Sequence, residues 1–112
     1  MSNALAHVVD NPEPRLVGDT ARYFKITVVS EQTGQPFDLG GTTCTFKMRL
    51  RDAPYTVIVD EAPCEQNGGS IWYVPQPQDV ANDGHYLGRF KVVTTDGVLL
   101  FGHVHYEIQP DL

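Results

Sequence analysis

The sequence predicts an all-β domain, arranged as an antiparallel sandwich or barrel. Several short runs alternate apolar with polar residues, which is the pattern of a strand with one buried face. Turn-forming residues separate these runs about every 8–12 positions, a spacing typical of all-β domains. No run of useful length has the period of an amphipathic helix.

The clearest predicted element is a β-hairpin in the C-terminal third of the chain. Asn82-Asp83-Gly84 is a turn by composition, and a strand with alternating faces follows it as far as Thr94. Asp96-Gly97 favours a two-residue hairpin turn and introduces a second strand. The residues expected on one face of this last strand are Val98, Leu100, Gly102, Val104, Tyr106 and Ile108.

Four further strands are predicted upstream of the hairpin. The second has the cleanest alternation, with Cys44, Phe46 and Met48 on its apolar face. Prolines at positions 75 and 77 place the fourth near a sheet edge, and residues 78–80 fit a single helical turn. The four predicted strands cover residues 20–29, 42–50, 55–59 and 71–74.

Residues 1–18 are predicted to be an extended N-terminal arm, and residues 19–112 the β-sandwich domain. The arm contains Asn11-Pro-Glu-Pro-Arg15, and proline fixes φ and removes a backbone donor. An alternative is a short edge strand, or a segment that holds a neighbouring subunit, because several apolar residues occur here: Leu5, Ala6, Val8 and Val9.

Composition excludes several classes of protein. The 112 residues suit one domain with its own core. The net charge is −6 and the eight Lys and Arg residues are scattered, which argues against nucleic-acid binding. No apolar run approaches the ~20 residues of a membrane span. The first residues lack the pattern of a secretory signal, so we expect a soluble, non-exported protein that binds neither nucleic acid nor membrane.

Two cysteines, Cys44 and Cys64, are present and form no Cys-x-x-Cys motif. A zinc ribbon and a thioredoxin-like site are therefore excluded. Without an export signal we expect free thiols, although a disulfide remains open.

His103 and His105 are the most suggestive candidate ligands, because residues two apart on a strand share a face. A catalytic zinc needs three protein ligands, and only His7 and His85 remain to complete the set. Two exposed imidazoles are the favoured interpretation. We therefore predict no metal site and no cofactor.

Asp60, Glu61 and Glu65 form an acidic cluster around a predicted turn. A solvated surface is favoured over a glycosidase pair or a calcium site, because the spacing matches neither. No Ser-His-Asp order, nucleophile elbow or phosphate-binding loop occurs in the sequence. We expect no catalytic residues and no enzymatic activity.

Trp72, with Tyr55, is a candidate for stacking on a sugar. On this alternative, the protein would be a carbohydrate-binding β-sandwich module that contacts a host surface. Trp72 and Tyr73 point to opposite faces of one strand, so one of them belongs to the core. Use in the core or at a subunit interface is the favoured interpretation.

A series of motifs follows a set order between about residue 20 and residue 108. They are Leu39-Gly-Gly-Thr-Thr-Cys-Thr-Phe-Lys-Met-Arg49, residues 57–60, Asn67-Gly-Gly, Asp79-Val80, Asp83-Gly84-His-Tyr86 and residues 90–97. This order resembles the immunoglobulin-like domain at the N-terminus of tailed-phage baseplate upper proteins, which also occurs as small virion proteins. Asn82-x-Gly84-x-Tyr86 has the layout of a tyrosine corner, and Gly88 stands where antibody-type domains have a cysteine.

The resemblance implies an antiparallel immunoglobulin-like β-sandwich of six to eight strands. It also implies a non-enzymatic virion structural protein, a tail or baseplate component or a head decoration. The expected partners are other phage virion proteins, the expected form is a homo-oligomer, and the expected location is the virion, assembled in the host cytoplasm. The outward apolar residues expected to form the interface are Leu87, Val93, Leu99 and Phe101.

Overall fold

The structure is a computed structural model that describes residues 5–112. These residues form nine strands and one short 3₁₀ helix, Pro77–Val80. The strands are β1 Leu5–Asp10, β2 Arg15–Leu16, β3 Phe24–Ser30, β4 Thr43–Leu50, β5 Val57–Pro63, β6 Glu65–Asn67, β7 Ser70–Tyr73, β8 Gly84–Thr94 and β9 Gly97–Gln109.

The strands build two sheets. One has four strands in the order β1-β3-β7-β6, and the other has five in the order β2-β9-β8-β4-β5. Neighbouring strands are antiparallel except β2 and β9, which run parallel. The predicted all-β sandwich of immunoglobulin-like class is confirmed.

The core lies between the sheets. Phe24, Ile26 and Val28 are the inward positions of β3 and are fully buried. The Phe24 ring stacks on Phe46 of β4, with ring centres 5.3 Å apart, and meets Tyr106 of β9 edge-on at 4.7 Å. Burying one such large side chain stabilises the fold by about 1.5–3 kcal/mol. The alternation read from the sequence therefore marks the core face of the early strands.

The predicted N-terminal arm contributes one strand to each sheet from Leu5 onward. β1 pairs with β3 over six residues, and β2 pairs with β9. Arg15, at the start of β2, is buried between the sheets. The edge-strand alternative therefore describes residues 5–10, while the part of the predicted arm before Leu5 lies outside the described residues.

The faces of β9 exchange at a β-bulge. Gly88 pairs with Val104 but Phe90 pairs with Phe101, so two residues of β9 stand opposite Arg89. In β9, the residues after the bulge face the sides of the sheet that the sequence predicts, whereas the residues before the bulge face the opposite sides. The exposure predicted for Phe101 and Leu99 is therefore wrong: Phe101 is a core residue, and Leu99 packs against the core.

Val98 and Leu100 are the exposed residues of this part of β9, at 56% and 59%. Of the other two predicted interface residues, Val93 is exposed at 39%, and Leu87 is half-buried on the outer side of its sheet.

The predicted tyrosine corner is present. The hydroxyl of Tyr86 donates a hydrogen bond to the carbonyl of Asn82 at 2.8 Å. Two residues later, a Cβ on Gly88 would come within 2.9 Å of the rings of Tyr106 and Phe46, so the aromatic core occupies the space of any side chain. The 3₁₀ helix just before the corner is the only helix within residues 5–112, and it is too short to cross a membrane.

Candidate functional site

The outward side of the five-stranded sheet is basic where β4 and β8 lie side by side. Lys47 of β4 pairs with Arg89 of β8, and Arg49 pairs with Leu87. Lys91 lies on the same side, because residues two apart in a strand share a face. Four of the eight Lys and Arg residues of the chain therefore gather on one face of one sheet.

A cleft of about 270 Å³ opens on this face. Three of its lining side chains are cationic, an imidazole adds a hydrogen-bonding group, and two aliphatic side chains add apolar surface on either side of Arg49. The lining residues are Lys47, Arg49, Val57, Leu87, Arg89 and His103.

Two carboxylates of β5 partly neutralise the basic face. Glu61 forms an ion pair with Arg89, and its second oxygen lies 3.4 Å from the Nζ of Lys91. Asp60 lies 3.6 Å from the Nζ of Lys47. With Arg49 included, four cationic side chains face two carboxylates, and two positive charges remain in excess.

A β-bulge in β5 aims Glu61 at the basic residues. The register between β4 and β5 shifts between Phe46 and Met48, so Asp60 and Glu61 share one partner position on β4. Glu61 has a φ of 49°, in the left-handed region that non-glycine residues seldom adopt. A hydrogen bond from Thr45 Oγ1 at 2.8 Å holds its side chain. The strained backbone thus places a carboxylate beside the cleft.

The two arginines of the cleft have N–H donors beyond those used in contacts within the chain. Nη1 of Arg49 donates to the carbonyl of Leu50 at 2.8 Å, and its guanidinium lies 5.1 Å from the Tyr55 ring centre. Nε of Arg89 is buried and has no partner among the described residues. A guanidinium carries more N–H donors than these contacts use.

His105 is paired with His85 rather than with His103. Nδ1 of His85 lies 2.9 Å from Nε2 of His105, and the two rings are nearly parallel with centres 5.1 Å apart. His103 lines the cleft, and His7 of β1 packs edge-on against Phe101. Within residues 5–112 no three His, Cys, Asp or Glu side chains are placed to hold one metal ion.

Trp72 lies in β7 of the four-stranded sheet, whereas Tyr55 lies in the connection between β4 and β5 of the other sheet. Nε1 of Trp72 in β7 donates to Glu65 at 3.0 Å, and the Nζ of Lys25 lies 5.6 Å from its ring centre. Tyr55 precedes β5 in the other sheet. Tyr73 packs against the core, as the alternation predicts.

The sequence did not single out the basic face. Alternation places the basic residues of β4 and those of β8 on outer faces, but only the pairing of these two strands brings them together. The acidic residues were predicted to form one solvated cluster. In the structure Glu65 bonds Trp72, whereas Asp60 and Glu61 face the cations.

No family model and no curated protein matches this sequence. A solved structure, that of CopC from Methylosinus trichosporium OB3b, is similar over 97% of both chains with a TM-score of 0.58. The identity is 14%, so the likeness shows a shared fold.

The resemblance to the phage baseplate domain is therefore wrong. CopC, which this chain resembles over almost its whole length, is not a phage baseplate protein, and no family model matches the sequence. The expectations that depended on the resemblance fall with it: the virion structural role, the docking on phage virion proteins as a homo-oligomer, and the location in a virion. The motifs that suggested the resemblance are glycine turns and alternating strands. These recur in antiparallel β-sandwiches in general and do not identify one family.

Proposed function

We propose that this protein is a non-enzymatic binding protein that holds a small organic carboxylate in the cleft on its five-stranded sheet. One observation carries the proposal. Lys47, Arg49 and Arg89 converge with His103 on one cleft, although the chain as a whole has a net charge of −6. In this acidic protein the cations are concentrated at one place because β4 pairs with β8 in a register that sets their basic residues side by side.

The chemistry of these groups favours a carboxylate. Guanidinium groups bind carboxylates through two parallel hydrogen bonds, and such charge-assisted bonds are stronger than neutral ones. Arg49 has N–H donors beyond its bond to the Leu50 carbonyl, and Lys47 adds a point charge. The resident carboxylate of Glu61 already shows how Arg89 pairs with such a group.

The two aliphatic side chains of the cleft favour an organic ligand over an inorganic anion. Val57 and Leu87 flank Arg49 on the two neighbouring strands, and contact with them removes apolar surface of a ligand from water. The volume of about 270 Å³ is close to the lower end of small-molecule sites, about 300–1,000 Å³. The lining supplies binding groups rather than a nucleophile, and for this reason we propose binding without catalysis.

Isothermal titration calorimetry at low ionic strength tests this function. Benzoate and citrate are titrated as organic carboxylates, with sulfate as an anion that lacks an apolar part. We expect saturable carboxylate binding that weakens about tenfold in Arg89→Gln, because one charge-assisted pair is lost. Lys25→Gln is the matched control, since it removes the same charge from the other sheet. Absence of saturable heat, or equal weakening in the control, contradicts the proposal.

The pair of His85 and His105 favours a second candidate function, the binding of a transition-metal ion. Two ligands at right angles, each about 2.0–2.1 Å from a metal, have nitrogens about 2.9 Å apart. The nitrogens of these two imidazoles stand at 2.9 Å and share an N–H···N hydrogen bond; metal binding would replace this bond and requires both rings to turn until their lone pairs converge. Two imidazoles with open positions for water suit Cu(II) or Ni(II).

Titration with Cu(II), followed by electron paramagnetic resonance, tests the second candidate. We expect one copper with nitrogen coupling, lost in His105→Asn and retained in His103→Asn, which removes a neighbouring imidazole outside the pair. A spectrum unchanged by His105→Asn contradicts it.

A further inference from the structure

Cys44 and Cys64 stand directly opposite each other on adjacent antiparallel segments. β4 pairs with β5 as far as Thr45 and Pro63, and the next step of the same register opposes the two cysteines. The N–H of Cys64 donates to the carbonyl of Cys44 at 2.9 Å, which fixes this pairing. Opposed residues of antiparallel strands have Cα atoms about 4.5–5.5 Å apart, inside the range of about 4.4–6.8 Å found for disulfides.

Both side chains point to the core and both are free thiols in the structure. Cys44 is almost fully buried, whereas Cys64 is half-buried at the point where the chain leaves β5. Their other contacts are weak. Sγ of Cys44 lies 3.7 Å from Oγ1 of Thr42, and Sγ of Cys64 lies 3.9 Å from the carbonyl oxygen of Ala62. Burial raises the pKa of both thiols, that of Cys64 to about 12, and Cys44 contributes to the shift at Cys64.

We propose that Cys44 and Cys64 form a disulfide when the folded protein meets a small-molecule disulfide such as oxidised glutathione. Cys64, the more exposed thiol, attacks as its thiolate; the S–S bond of the oxidant breaks, and one glutathione leaves as a thiol. Cys44 then attacks the sulfur of Cys64 in the mixed disulfide and expels the second glutathione. The two protein thiols lose two electrons and two protons, and oxidised glutathione gains them as two reduced molecules.

The bond would hold the connection between the two sheets against the five-stranded sheet. Cys64 is the single residue between β5, an edge of the five-stranded sheet, and β6, an edge of the four-stranded sheet. Cys44 belongs to β4, next to that edge. A disulfide between them would fasten the crossover to the inner strand of one sheet.

Intact mass spectrometry after exposure to oxidised glutathione is the test. We expect the wild-type protein to lose the mass of two hydrogen atoms, to carry no glutathione and to offer no thiol to iodoacetamide in denaturant. The oxidised protein should melt about 5 °C or more above the reduced one, because the unfolded chain is constrained.

Two variants check the order of steps. In Cys44→Ala, Cys64 should keep one glutathione, since no second thiol can displace it. In Cys64→Ala, the buried Cys44 should stay unmodified.

Two results with the wild-type protein overturn the proposal, and neither depends on the folding of a variant. One is a stable glutathione adduct on wild-type Cys64. The other is persistence of both thiols under conditions in which the chain unfolded in denaturant becomes oxidised.

Discussion

The guanidinium of Arg15 lies 4.1 Å from the centre of the Phe24 ring, between the two sheets, with 1% of the residue exposed. Its second aromatic neighbour is Tyr106, with the ring centre 5.5 Å away. Nη1 donates to the carbonyl of Arg22, whereas Nε and Nη2 are buried without a partner among the described residues. Burial lowers the pKa of Arg15, and the aromatic faces, together with the bond to the Arg22 carbonyl, offset part of its lost hydration.

Arg15→Lys should lower the free energy of unfolding by about 2 kcal/mol, because an ammonium group cannot stack flat on the rings and is more strongly hydrated. Arg15→Met keeps the volume and removes the charge, so its stability should lie within about 1 kcal/mol of the wild type. Urea unfolding measures both. A lysine variant more stable than the methionine variant would show that charge, rather than planar stacking, matters at this position.

Tyr86→Phe should lower the free energy of unfolding by about 1 kcal/mol, because it removes the hydrogen bond to the Asn82 carbonyl at the tyrosine corner. The matched control is Tyr106→Phe, since the hydroxyl of Tyr106 is buried without a partner among residues 5–112. Loss of that hydroxyl should leave stability unchanged or raise it slightly. Thermal melts of the two variants, run side by side, measure the difference, and equal losses would contradict the prediction.

Gly88→Ala should lower the free energy of unfolding by about 1–3 kcal/mol through overpacking. Its Cβ would lie 2.8 Å from the Tyr106 ring and 2.9 Å from the Phe46 ring, and both rings are fixed in the core. Gly40→Ala is the control, because the nearest neighbour of its Cβ would be the end of the exposed Asp38 side chain, at 3.3 Å. A Gly88 variant as stable as the Gly40 variant would mean that the core rings can move aside.

Glu61→Gln should raise the affinity of the cleft for an organic carboxylate about fivefold. It removes a negative charge beside Arg89 and Lys91 while it keeps a side-chain oxygen for Thr45. Calorimetry with benzoate measures the change, and Glu13→Gln in the β1–β2 loop controls for net charge. Weaker binding in Glu61→Gln would assign Glu61 to positioning Arg89 instead.

Alkylation of Cys64 by iodoacetamide should accelerate about tenfold for each pH unit between about pH 7 and pH 10, because only the thiolate reacts. Burial raises the pKa of this thiol to about 12, so no plateau is expected in that window. The Cys44→Ala variant is used for the measurement, because Cys64 is then the one thiol of the chain that iodoacetamide can alkylate. A plateau near the ordinary thiol pKa of about 8.5 would show that the reaction occurs through an opened state.

The same shift has a consequence for stability. The folded protein favours the neutral thiol of Cys64, so its contribution to stability is complete below the pKa of the unfolded thiol and is lost as the pH rises towards the folded value. Melting temperatures should therefore fall at alkaline pH.

The sequence predicted those elements in which one face is buried and the other solvated. β4 has nearly the expected bounds, β3 begins four residues later than predicted, and both have the expected faces, because Phe24, Ile26 and Phe46 alternate with polar residues. The N-terminal strands were less visible, since the prolines at 12 and 14 lie between β1 and β2 and suggest an irregular segment. β9 was predicted as a strand, but its sequence pattern did not indicate the bulge, which exchanges the buried and exposed faces.

The candidate site was harder to predict than the fold. Lys47 and Arg89 each occupy an outward position that alternation indicates, yet they are neighbours only because β4 pairs with β8 in one register. Strand pairing depends on contacts distant in sequence, and a shift of one residue moves a side chain to the other face. His85 and His105 show the same limit, since their contact joins two strands of the final hairpin diagonally.

The bulge in β9 also affects how the molecule meets other chains. β9 is thirteen residues long, and among the described residues only β2 pairs with its outer edge, close to Ile108. A long, flat and unpaired edge is a template on which a second chain can add as a strand and begin aggregation. Gly102 and His103 interrupt this edge and bend it, so each remaining stretch is short. The irregularity that turns Phe101 into the core thereby limits intermolecular strand addition.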